Sequence, residues 1–174
     1  MILIRSILLL AFIALSELFY SQTNVTMTLP VVTLMDIEPT GSFALNFTAP
    51  TEAGNAIGNP TPNTSKRINY TSAIAPGGVT RRITASVNKV IAGVNIRLQA
   101  AAATGAGAGT LGTSSGLVTL STTATTIISG IGGAYTGNGS SNGHLLTISL
   151  TTNTYANLIA QANTAVVITY TITE

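Results

Sequence analysis

An all-β antiparallel fold is predicted for this 174-residue chain, an Ig-like β-sandwich of roughly seven to ten strands preceded by a signal peptide, and three observations predict it. Apolar residues alternate with Thr, Asn, Ser and Arg along most of the chain, as half-buried strands require. Clusters of Gly, Pro and Asn interrupt the alternation at short intervals and supply turns. Helical signals are thin, because β-branched residues dominate and no long stretch repeats apolar residues at i, i+3 and i+4.

The first element is an export segment. Arg5 precedes an uncharged apolar run from Ile7 to Leu15. That run is shorter than the roughly 20 residues needed to span a bilayer, and it suits the apolar region of a secretory signal peptide. Residues 1–21 are expected to be removed, with cleavage after Ser21 preferred to cleavage after Ser16. Residues 22–174 then form a single β-sandwich domain, a suitable size for one core. No second long apolar run follows, so no membrane span is expected after signal removal. The expected location is outside the cytoplasm: extracellular, on the cell surface or periplasmic.

Strand-like alternation then recurs at Val25-Leu29, Phe43-Phe47, Ile68-Tyr70, Ile83-Val87, Val94-Ala100, Leu146-Leu150 and Val166-Ile172. Shorter runs at Val31-Ile37, Leu117-Leu120 and Thr126-Ile128 supply further strands. Turns are expected at Pro39-Gly41, Gly58-Asn63, Ala75-Gly78 and Gly137-Gly143. Gly105-Gly116 reads as a loose glycine-rich loop or hairpin tip. Thr154-Ala162 has the pattern of either two helical turns or an irregular connection.

Composition excludes several functions. Charged residues make up 7% of the chain, with seven bases against five acids, so the formal net charge of +2 provides no dense basic field for nucleic acid. The chain has no Cys, which removes disulfides, thiolate metal sites and Cys nucleophiles.

Apparent catalytic motifs lack their context. Gly107-Gly112 spells G-x-G-x-x-G, but no helix pattern follows and the acidic ribose-binding residue about 20 positions on is missing. Gly112-Gly116 spells G-x-S-x-G around Ser114, yet no carboxylate stands between Ser114 and His144, leaving only a noncanonical grouping with Asp36. His144 is the single histidine and reads as a solvated residue near a strand start, after the turn dipeptide Asn142-Gly143. Asp36, Glu38 and Glu52 fit a calcium site, a glycosidase pair or solvated rim charges. Lys66-Arg67 and Arg81-Arg82 read as charges at sheet edges. Five Asn-x-Ser/Thr sequons begin at Asn24, Asn46, Asn63, Asn69 and Asn138. No catalytic residue, metal ligand or cofactor is therefore expected, and the chain reads as a non-enzyme.

The terminal segments carry the remaining functional signal. Val25, Met27 and Leu29 alternate just after the expected cleavage point, and Val166, Ile168, Tyr170 and Ile172 alternate towards Glu174. Terminal strands of this kind complete their own sheet or add to the exposed edge of a neighbour. With its signal peptide, Thr/Ala/Gly/Asn-rich sandwich and alternating terminal strand containing Tyr170, the chain resembles exported fimbrial or spore-coat-type subunits of bacteria. The resemblance implies an incomplete Ig-like fold, an edge capped by a periplasmic chaperone, and subunits joined head to tail by strand exchange. This chain differs in lacking the usual N-terminal cysteine pair and in placing Tyr170 four residues from its end. The expected function is an exported structural or cell-surface subunit that self-associates or binds another surface protein. The alternative is a monomeric secreted module that binds glycans or a surface partner through Tyr70, Tyr135 or Tyr155.

Overall fold

A computed structural model describes residues 22–174; the expected signal peptide, residues 1–21, lies outside the described residues. The fold is all-β. Nine strands form: β1 (Val32–Glu38), β2 (Asn63–Ala73), β3 (Arg81–Val87), β4 (Val94–Thr104), β5 (Ala108–Ser114), β6 (Leu117–Thr119), β7 (Thr125–Tyr135), β8 (Gly143–Thr152) and β9 (Ile168–Thr173). They make one hydrogen-bonded sheet in the order β6-β4-β8-β2-β7-β3-β9, with β1 added to β2 and β5 added to β7. Every pairing is antiparallel.

Alternation determines which faces are buried. In β3, Ile83, Ala85 and Val87 are buried while the intervening Thr84 and Ser86 are half-exposed. In β4, Ile96, Leu98 and Ala100 do the same. Ile68, Ile83, Leu98, Ile127, Ile128, Ile131 and Leu146 are among the fully enclosed side chains, and they come from strands on both sides of β2 and β7. All of them belong to one core. A sheet face must be covered to be buried. The sole helical element among the described residues is a single 3-10 turn at Tyr155–Asn157 with no buried residue. Among the described residues, the core is therefore enclosed by the strands and their connections.

The two sides of the strand order join where β2 meets β7. Only Thr71 with Tyr135 and Ser72 with Ala134 pair there. Lower on β2, residues 63–68 pair with β8, whereas β7 pairs with β3 through residues 125–131. Thr136 extends the junction by one residue after β7 ends. Its N–H donates to the Tyr70 carbonyl at 3.0 Å, and its Oγ1 accepts the Tyr70 N–H at 2.9 Å. A side chain thus replaces the missing ladder partner, and Thr136 is fully buried.

Several expectations need correction. Residues 23–29 and 43–47 belong to no strand. Alternation makes a segment suitable for a sheet but does not bring it beside an edge, and β2 already carries β1 on one side and β8 and β7 on the other. Leu45 still rests against the core. Conversely, much of the expected Gly105–Gly116 loop is strand β5, paired with β7. Its glycines allow close approach: Gly109 has φ +92°, and a Cβ there would run into the Gly133 carbonyl. The Thr154-Ala162 segment contains only the 3-10 turn.

Thr136→Val preserves shape but removes the acceptor for the buried Tyr70 N–H, so it should lower unfolding stability by about 1–3 kcal/mol, whereas Thr136→Ser should recover most of the loss. Chemical denaturation of the three proteins tests this. Gly109→Ala should cost about 2–5 kcal/mol from positive-φ strain and forced separation of β5 from β7. Gly116→Ala, with φ +80° but open space around the Cβ, should cost about 1–2 kcal/mol in the same assay.

Candidate functional site

Two regions concentrate functional interest, a buried polar cluster and the terminal segments. The cluster centres on His144, which is fully buried rather than solvated in a loop. Position 144 begins the inward-facing set of β8, and its backbone lies opposite Ile68 of β2 on one side and Ala103 of β4 on the other. The imidazole therefore points into the core.

Its ring nitrogens are both engaged. Nδ1 lies 2.8 Å from the Ala101 carbonyl, an acceptor only, so this nitrogen carries the proton. Nε2 lies 3.0 Å from Tyr70 Oη, and the two rings stack with centroids 5.7 Å apart. Tyr70 Oη also donates to the Leu111 carbonyl. One phenolic hydrogen thus serves two acceptors whenever the imidazole is neutral. Burial pushes the His144 pKa below its ordinary value, opposed in part by the Ala101 and Leu111 carbonyls, and burial also pushes the Tyr70 phenol upward. The cluster ties β2, β4, β5 and β8 together, and it has no face open to a ligand.

The two basic pairs also occupy different positions from those expected of simple edge charges. Arg82 is exposed and Arg67 half-buried, but Lys66 and Arg81 are buried. Lys66 Nζ donates to the carbonyls of Pro39 and Gly41 at 2.6 and 2.7 Å. Arg81 Nη1 donates to Val32 O at 2.7 Å and Ser72 Oγ at 2.8 Å, while Nη2 reaches Glu174 at 3.5 Å. Carbonyl oxygens here replace the water these cations lose, which makes their burial tolerable. Arg81 binds β1, β2 and β3 to the chain end beyond β9.

The catalytic groupings suggested by sequence motifs do not assemble. Ser114 Oγ accepts the Gly116 N–H at the turn after β5, and Asp36 Oδ1 accepts the Ile37 N–H. His144 bonds to Tyr70 and Ala101. The G-x-G-x-x-G run lies largely within strand β5. Among the described residues no three His, Asp or Glu side chains gather as metal ligands would, and no helix is long and apolar enough to cross a membrane. Tyr70 is buried and is not available to an exposed binding patch, whereas Tyr135 and Tyr155 are each exposed. No sequence signal separated Tyr70 from the other tyrosines except its place in an alternating run.

The terminal segments differ from one another. Val25, Met27 and Leu29 are 85%, 87% and 81% exposed, in a segment that belongs to no strand. Ile168, Tyr170 and Ile172 of β9 instead rest on the core, and β9 pairs with β3 from Val87↔Ile168 to Arg82↔Thr173. Val166 lies just before β9 and also packs there. Burial raises the Tyr170 pKa to about 12. On its other side β9 has no strand neighbour among the described residues, and β1, β5 and β6 likewise pair on one side only.

His144 gives a signed pH prediction. Its folded pKa lies below the ordinary 6.5, so the stability it contributes is present above that value and is lost as the pH falls towards the folded pKa. Unfolding free energy should therefore decline on acidification below about pH 6.5, and His144→Gln should flatten that part of the profile. Equal slopes in the two proteins would assign the decline to other groups.

Comparison with protein families, with curated proteins and with solved structures yields no match.

Proposed function

We propose that this chain is an exported, non-enzymatic structural or cell-surface subunit whose domain is an Ig-like β-sandwich behind a signal peptide, and that copies associate through their N-terminal segments. The observation that carries this reading is the exposure of Val25, Met27 and Leu29, each above 80%, in an unpaired stretch of strand-forming pattern. In an extended conformation these three side chains share one face, and the intervening Thr residues share the other. Such a stretch is suited to adding to a sheet edge, where main-chain hydrogen bonds supply affinity and alternate side chains find pockets.

β9 is already committed to its own domain, so the donor is the N-terminal segment and the receiver is an edge of another copy. Burial of each apolar side chain contributes about 1.5–3 kcal/mol before the cost of ordering the segment. A single core filled from strands along both sides of the β2–β7 junction supports the sandwich reading, in which that short junction is the corner between layers.

The chain and its Val25→Asp/Leu29→Asp variant should be compared by size-exclusion chromatography with light scattering across a concentration series. The unmodified chain should form multimers and the variant should remain monomeric, with the two sharing a thermal midpoint measured under dilute, dissociating conditions. A monomeric unmodified chain at every concentration would overturn the proposal. So would a variant that loses the folded domain itself, since the segment would then be completing its own sheet.

A further inference from the structure

Two Asn-Gly pairs stand four residues apart in the connection between β7 and β8, Asn138-Gly139 and Asn142-Gly143, and the fold holds their side chains differently. We propose that Asn138 is a site of spontaneous deamidation in the folded protein and that Asn142, followed by the same residue, is protected. This inference is independent of the assembly reading.

The reaction needs little machinery. The backbone nitrogen of the following residue attacks the Asn Cγ, a C–N bond forms, and the Cγ–Nδ2 bond breaks to release ammonia, which carries away the displaced amide proton. Water then opens the resulting succinimide at either carbonyl, giving aspartate or isoaspartate. A glycine in the following position leaves its nitrogen unshielded. Whether the step occurs depends on whether the carboxamide is free to turn towards that nitrogen.

Asn142 is not free. Its Oδ1 accepts the Ala106 N–H at 2.8 Å and its Nδ2 donates to the Asn138 carbonyl at 2.5 Å. Its side chain also fills the space beside Gly105 and Gly137, where a Cβ on either glycine would strike it. The amide thus staples the β4–β5 turn to the β7–β8 connection, and attack on its Cγ requires both bonds to break. Asn138 is exposed, and the loop uses its backbone oxygen rather than its carboxamide. Gly139 is half-buried and its carbonyl accepts from Asn69 Nδ2 and the Asn142 N–H, but nothing lies within 4 Å of where its Cβ would be.

Conversion at Asn138 has physical consequences. It lowers the formal net charge from +2 to +1 in a chain with very few charges. The isoaspartate product also inserts a methylene into the main chain beside the carbonyl that holds Asn142.

The test is ageing of the unglycosylated full chain in warm, mildly alkaline buffer, native and in denaturant, followed by peptide mass mapping with fragmentation that separates aspartate from isoaspartate. In the native protein Asn138 should convert at least about tenfold faster than Asn142, and the two rates should converge in denaturant, where local protection is lost. Gly139→Ala should slow conversion at Asn138 without changing the slow rate at Asn142. Equal native rates, faster conversion at Asn142, or an Asn138 that stays intact while the denatured chain converts would each overturn the proposal. The native-to-denatured comparison uses the unmodified chain and so stands even if Gly139→Ala folds poorly.

Discussion

The short contact between β2 and β7 is the constraint on which the rest of the structure depends. Among the described residues no helix buries a side chain against the nine-stranded sheet, so the strands enclose the core themselves, and the two sides of the strand order are joined where only Thr71 with Tyr135 and Ser72 with Ala134 are paired. Thr136 adds its side chain and N–H at the point where the ladder gives out. From that junction β8 and β4 follow on one side of the strand order and β3 and β9 on the other, and isoleucines from both sides meet in one core.

Polar groups buried next to this core give the packing its specificity. An apolar core of Ile, Leu, Val and Ala tolerates many packings, whereas a buried cation or imidazole tolerates only arrangements that satisfy its donors and acceptors. Arg81 gathers the Val32 carbonyl, Ser72 Oγ and Glu174 around β3. Tyr70 and His144 join β2 to β4, β5 and β8 through the Ala101 and Leu111 carbonyls. The Arg81–Glu174 contact adds little by itself, because its Glu174 end is well solvated. The value of Arg81 lies in the neutral carbonyl and hydroxyl oxygens it serves inside.

A chain so poor in charge must still manage its edges. β1, β5, β6 and β9 each pair on one side only, and long edges commonly carry charges or bulges that discourage association. Here the inner members of the basic pairs are buried, while a segment exposing three alternating apolar residues precedes β1. That combination of receptive edges and an available strand-like segment is the basis of the assembly proposed above. The same glycine richness that brings β5 against β7 leaves Asn-Gly pairs in the neighbouring connection, where chemical lifetime depends on which carboxamide the fold happens to hold.

The sequence by itself determined the all-β class, the core strands β2, β3, β4, β8 and β9, and the lack of Cys chemistry, because period-two alternation is a local property that survives in any half-buried strand. The glycine-rich stretch was illegible as β5, since its fitness to pair comes from the absence of side chains against a particular neighbour, Gly133, far along the chain. His144 and Tyr70 were illegible for a related reason: burial of a polar side chain depends on partners from four strands, none of them close in sequence. The segment at residues 23–29 has a strand's pattern and no strand's position. Alternation specifies which side chains would share a face, but only the tertiary structure decides which edge a segment meets, because pairing needs a partner strand brought alongside it.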